Sequence, residues 1–187
     1  MTSDSMSGPS AVFDLRPTRW SPADGALEDL CRRAIDSAAQ ALQPLDLSGW
    51  EVGVTITDDM EIRALNRDHL GRDKATNVLS FPLDGPNRGT SPSPGGLLGD
   101  IVLSDETLLR EAARESRAPA EHLIHLVIHG MLHLMGYDHV ASSDAVKMET
   151  LEIKILADLG IANPYSTSHA PKSRARETLK PSRTRHA

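Results

Sequence analysis

The chain predicts an α+β fold: one mixed four-stranded sheet packed with about five helices, with a histidine-bearing helix at the centre. Three observations carry this. Segments of strand-like alternation and of helical hydrophobic spacing follow one another in the order β-α-β-α-β-β-α-α-α, with no internal repeat. The stretch from Pro119 to Met135 is apolar on nearly every side, as expected of a helix buried all round. The 187 residues are 39% hydrophobic but only 3% aromatic, which suits one domain with an aliphatic core.

Each element has its own signal. Val12–Leu15 is a short edge-strand candidate. Ser21-Pro22 opens a helix that runs to about Leu42, with Leu27, Leu30, Ala34, Ile35 and Ala38 near helical spacing. Trp50–Thr57 alternates, with Val52, Val54 and Ile56 on one face. Asp58 or Asp59 caps a helix carrying Ile62, Leu65 and Asn66. A loop over Gly71–Ala75 leads to a strand over Asn77–Phe81, ended by Pro82, which cannot donate to a ladder. Asp84–Gly96, rich in Gly, Pro and Ser, is expected to be a long mobile loop. Leu98–Ser104 is the fourth strand, and Asp105 starts a helix to about Arg117. Pro119 starts the histidine helix and Gly136 ends it; Ser143-Asp144 caps a last helix that Gly160 stops.

The chemistry concentrates in His129-Gly130-Met131-Leu132-His133-Leu134-Met135-Gly136-Tyr137-Asp138-His139. Residues i and i+4 of a helix share a face about 6 Å apart along the axis, so His129 and His133 can grip one ion. Gly136 can adopt the left-handed turn that folds the chain back and delivers His139 to the same point. Three imidazoles leave one position of a tetrahedral zinc open, the ligand count of a catalytic site and not of a closed structural one. His125 lies on the same stripe and is either a rival ligand or a supporting group; its distance from the Gly136 turn favours the second role. Metal-dependent peptidases carry a glutamate beside the first histidine as general base; here that position is Gly130, which cannot move a proton. A glycine inside a helix also suggests close approach of another backbone or of substrate. Asp138 is read as orienting a histidine, and no general base is assigned.

These residues resemble the YbeY family, bacterial rRNA maturation factors described as metal-dependent single-strand endoribonucleases. The likeness extends to Thr76-Asn77-Val78-Leu79-Ser80-Phe81-Pro82, to Leu98-Gly99-Asp100-Ile101-Val102-Leu103-Ser104 and to Asn163-Pro164-Tyr165, in the family's order. The resemblance implies a catalytic domain over residues 11–165, flanked by a disordered N-terminus (1–10) and a basic disordered tail (166–187). It implies one zinc per chain on His129, His133 and His139, and action on rRNA of the small ribosomal subunit, in 16S rRNA 3′-end processing and ribosome quality control. One departure stands out: Leu70 occupies a position where the family often carries an arginine linked to activity. Arg72, two residues on, is the candidate to contact substrate phosphate in its place. Two other functions compete: a zinc metalloprotease-like hydrolase, disfavoured by Gly130, and a non-catalytic ribosome-assembly factor with structural zinc.

Charge bounds how nucleic acid could be held. The net charge is −6, yet residues 171–187 carry six Lys or Arg against one Glu, so the remainder carries −11. An acidic body needs a local basic patch, for which Arg63, Arg67, Arg72 and Lys74 are the candidates, or the tail acting as a phosphate-binding arm. Few aromatic residues argue against a broad base-stacking platform. The apolar run near residues 123–135 is shorter than the ~20 residues that span a bilayer, and the N-terminus lacks the order of a signal peptide. One cysteine, Cys31, set among Leu27, Leu30 and Ile35, reads as a core residue. No membrane and no disulfide-linked partner are expected, and a reducing, cytoplasmic setting fits.

Overall fold

The computed structural model describes residues 8–17, 19–22, 25–83, 96–139 and 142–166. The predicted mobile loop lies outside these residues except for Gly96, as do residues 1–7 of the predicted N-terminal arm and 167–187 of the basic tail. The elements are β1 (Ser10–Leu15), α1 (Ala26–Ala41), β2 (Glu51–Thr57), α2 (Asp59–Leu70), β3 (Val78–Pro82), β4 (Leu97–Ser104), α3 (Asp105–Glu115), α4 (Pro119–Leu134) and α5 (Ser142–Asp158). They follow the predicted order.

The four strands form one mixed sheet in the order β1-β2-β4-β3. β1, β2 and β4 run parallel, and β3 runs antiparallel to β4 with Ser80 opposite Ile101. β1 is an edge strand, as its shortness suggested. β3 is the other edge, which tolerates Pro82 at its end. Strand alternation sorts the side chains between two layers. Val52, Val54 and Ile56 of β2, with Ile101 and Leu103 of β4, join the main core with α1, α4 and α5. Leu79 of β3 and Val102 of β4 face the other way and pack with Ile62 of α2.

α4 is the central helix. It packs against β3, β4, α1, α3 and α5, and ten of its sixteen residues are buried, including His122 and Gly130. No large side chain could replace Gly130, because a Cβ there would stand 2.8 Å from Cγ2 of Ile101. The close neighbour is therefore a sheet side chain, not the backbone or substrate that the sequence suggested. Cys31 is fully buried in α1, and that burial pushes its thiol up to about 12, as befits a core residue.

Two helix starts differ. α5 begins at Ser142, so Ser143 and Asp144 lie in its first turn and do not cap it. α1 begins at Ala26, not at Ser21-Pro22, because Gly25 takes a left-handed conformation (φ 78°) immediately before it. The preceding segment is committed elsewhere: the backbone N–H groups of Arg19 and Trp20 both donate to Oδ2 of Asp105 at the start of α3. Among the described residues, no helix is long and apolar enough to cross a membrane.

Candidate metal centre and its cleft

The site is built at the C-terminal end of α4. Gly136 (φ 85°) closes the helix in the left-handed conformation. Its N–H donates to the His133 carbonyl and that of Tyr137 donates to the Leu132 carbonyl, the paired bonds of a Schellman stop. The chain reverses there, and His139 swings back beside the helix. The available ligand atoms of His129, His133 and His139 lie within 4.8 Å of one another. Imidazole centroids are 4.6 Å apart for His129–His133, 5.0 Å for His133–His139 and 5.6 Å for His129–His139. Asp138 accepts from the His139 backbone N–H at 2.6 Å. In this contact it steadies the turn that carries His139.

Hydrogen bonds determine which nitrogens point inward. Nδ1 of His129 lies 2.7 Å from Oε1 of Glu152, and Nδ1 of His133 lies 2.9 Å from the Tyr137 carbonyl. A carbonyl oxygen and a carboxylate oxygen accept only, so both Nδ1 atoms carry hydrogen and both Nε2 atoms present lone pairs. Those two Nε2 atoms face each other at 3.0 Å. Two lone pairs at that distance repel unless a cation lies between them, and neutral imidazole nitrogen is a common ligand of zinc-class ions. The donor set therefore fits a metal. Burial above all, together with the neighbouring His129 and His139, pushes His133 down to about 4, which leaves it neutral and ready to ligate near pH 7.

Glu152 was not singled out from the sequence. It is completely buried, on the face of α5 that also carries Met148, Ile155 and Leu156. Burial works to raise its carboxyl, but the His129 contact and the Tyr165 hydroxyl outweigh it and hold the group below the usual carboxylate range. A glutamate placed in register with an apolar stripe is a readable signal of a buried, partnered charge. His125 has the supporting position expected of it. It stands 3.9 Å from Glu152 Oε2 and meets the Tyr165 ring edge-on. Burial outweighs the nearby carboxylate and pushes His125 down to about 4. His122, fully within the core, reaches Glu111 Oε2 at 3.0 Å, and Asn77 donates to the same oxygen at 2.9 Å.

The three histidines open into a cleft of about 590 Å³ that also takes in Leu70, Arg72, Lys74 and Ser80. Its far wall is the 70–77 segment and the edge strand β3. The four-residue basic patch does not assemble as expected. Arg63 pairs with Asp73 and Arg67 with Asp68, each at 2.7 Å. Arg72 and Lys74 line the cleft. Among the described residues, neither side chain has an ion-pair partner. Leu70 is 55% exposed on the same rim. Asp138 is the only carboxylate that lines the cleft among the described residues.

Comparison with known proteins agrees with the sequence resemblance. The family profile of Endoribonuclease YbeY matches residues 18–160. The Endoribonuclease YbeY of Rhizobium meliloti is 47% identical over 151 residues, which is 78% of this chain and 88% of the relative. That of Azorhizobium caulinodans is 47% identical over 144 residues, 75% of this chain and 89% of the relative. Among solved structures, the solution structure of TM1509 from Thermotoga maritima is 21% identical with a TM-score of 0.47. The match covers 83% of this chain and 99% of that one.

Proposed function

This chain belongs to the YbeY family of endoribonucleases, and on that premise we propose that it is a zinc-dependent endoribonuclease specific for single-stranded RNA. Its place is the cytoplasm, in rRNA maturation on the small ribosomal subunit. The observation that carries the reading is the facing pair of Nε2 atoms of His129 and His133, 3.0 Å apart, with both Nδ1 atoms already engaged. In this reading His129, His133 and His139 hold the ion. When bound, it supplies Lewis-acid stabilisation of charge developing on a phosphoryl oxygen.

The chain's own residues do the rest. Glu152 and the Tyr137 carbonyl keep two imidazoles in one tautomer. Arg72 and Lys74 draw the phosphate backbone into the cleft, and Arg72 serves where the family arginine is replaced by Leu70. With few aromatic side chains to stack bases, recognition rests on phosphate contacts, shape and ribosomal context.

The test is cleavage of a single-stranded RNA by the metal-loaded protein, set beside a duplex of the same sequence and a peptide panel. The single strand should be cut, and His133→Ala, still folded, should cut nothing. Peptide hydrolysis by the unmodified protein, or RNA cleavage that survives His133→Ala, would overturn the proposal. Comparing rRNA ends in cells with and without the protein locates the substrate.

A further inference from the structure

We infer that the segment Ile161–Ser166 belongs to the metal centre, because Tyr165 holds Glu152 and Glu152 holds His129. On this view Glu152 and Tyr165 are positioning residues that set metal affinity. The inference rests on the three-histidine reading above.

The geometry is a relay of three side chains from surface to site. Glu152, 0% exposed, divides its two oxygens. Oε1 accepts from Nδ1 of His129 at 2.7 Å, and Oε2 accepts the Tyr165 hydroxyl. Tyr165 itself is 40% exposed, so an outer residue fixes a fully buried carboxylate. Its ring stands edge-on to His125, centroids 6.0 Å apart at 86°. His125 thus fills the space beside the carboxylate and limits the directions from which the tyrosine can approach.

Directed hydrogen bonds hold the segment in place. The Ile161 N–H donates to the Leu156 carbonyl at 2.9 Å. The Tyr165 N–H donates to Oδ1 of Asn163 at 2.8 Å. Arg117, from the α3–α4 connection, donates through Nη2 to the Pro164 carbonyl. An imidazole can present either nitrogen to an ion, and a carboxylate on Nδ1–H selects Nε2 and makes it a better donor. A carboxylate with one oxygen unanchored would do this less well. A buried polar group also needs every partner it can reach. That is the physical reason for the tyrosine.

The experiment is a zinc titration of the full chain against a chromogenic chelator, without RNA, on wild type, Glu152→Gln, Tyr165→Phe and Arg117→Ala. Thermal melts confirm folding. Glu152→Gln keeps an acceptor but removes the charge, and should weaken zinc binding about 10–100-fold, the range for such partners. Tyr165→Phe loses one hydrogen bond and should weaken it about fivefold; Arg117→Ala should act in the same direction. Histidine ¹⁵N spectra of the metal-free protein should show His129 held with Nδ1 protonated in wild type and as mixed tautomers in Glu152→Gln. Folded variants that bind zinc as tightly as wild type, with unchanged His129 spectra, would overturn this inference alone. A wild type that takes up no metal overturns the three-histidine reading and this inference together. If Glu152→Gln does not fold, Tyr165→Phe, altered at an exposed ring, decides the matter.

Discussion

Two carboxylate networks in this molecule use the same materials to different ends. At the junction of α2 and α3, Asp59 accepts from the hydroxyls of Ser104 and Thr107, each at 2.5 Å, and from Arg110 at 3.1 Å. Burial works to raise its carboxyl, and those three donors outweigh it and hold it below 3.8. At α5, Glu152 accepts from His129 and Tyr165. The first network is closed on itself: the Ser104, Thr107 and Arg110 donors that reach the Asp59 carboxylate join α2 to α3. The second has an open end, because His129 passes beyond its carboxylate and aims Nε2 into a cleft. A half-buried charge whose described hydrogen bonds all come from protein donors ties two helices together. A buried charge whose partner still has a lone pair facing open space prepares a site for a ligand.

Substitutions at the open end should have the largest functional effect. His129→Ala or His133→Ala should reduce RNA cleavage to the background of RNA alone. Each should also abolish the rise in melting temperature that added zinc gives wild type, since that rise reports binding to the folded state. A melt that still responds fully to zinc would place the ion elsewhere.

A carboxylate with no partner at all sharpens the contrast. Gly130→Glu drives a side chain into Ile101, 2.8 Å from the position of its Cβ, and leaves a charge in the core. The cost should be several kcal/mol in denaturant unfolding, enough to threaten the fold. No peptide hydrolysis should appear, although the substitution restores the peptidase motif. Peptidase activity would mean that the position faces the cleft and not the sheet.

Breaking the closed network should cost stability without touching the metal. Asp59→Ala leaves the Ser104 and Thr107 hydroxyls without their acceptor, for a loss of roughly 1–3 kcal/mol. Zinc affinity should not change, and a weaker zinc titration would show that the two networks are coupled. The pH dependence of the Asp59 contribution in wild type has a definite sign. The folded value of Asp59 lies below the ordinary 3.8, so the unfolded chain binds its proton more readily. The stabilisation is complete above about pH 4 and is lost as pH falls through the folded value. Denaturation midpoints of wild type and Asp59→Asn should therefore differ more at pH 6 than at pH 3.

The smallest effect belongs to the rim of the cleft. Arg72→Ala and Lys74→Ala should each weaken RNA binding several-fold and reduce the slope of log affinity against log salt by about one. Arg63→Ala and Arg67→Ala, whose side chains are engaged with Asp73 and Asp68, should leave that slope nearly unchanged. Equal effects from all four would restore the undivided basic patch.

Much of this was legible in the residues themselves. The element order and the central place of α4 follow from periodicity, because burial of apolar faces is a local pattern with a global consequence. The convergence of His129, His133 and His139 was legible for the same reason: a helical spacing of four, a glycine able to turn left-handed and a short return are all encoded within eleven residues. The start of α1 was not, because Asp105, far along the chain, claims the backbone of Arg19 and Trp20 before the helix can begin. The environment of Gly130 was not, because the neighbour is Ile101 on another element. Nor could sequence divide the cations. Arg63 and Arg72 look alike on the page, and only folding brings Asp73 to one and leaves the other over the cleft.

Sequence alone therefore determined the parts whose cause is local: the order of the elements, the Asp58 cap of α2 and a three-histidine cluster on one helix end and its turn. Tertiary structure alone decided which nitrogen His129 presents, since that depends on Glu152 and, through it, Tyr165, residues 23 and 36 positions beyond His129. The physical reason is that hydrogen bonding of a buried polar group is satisfied by whatever the fold brings within 3 Å or so, and chain separation sets no limit on that.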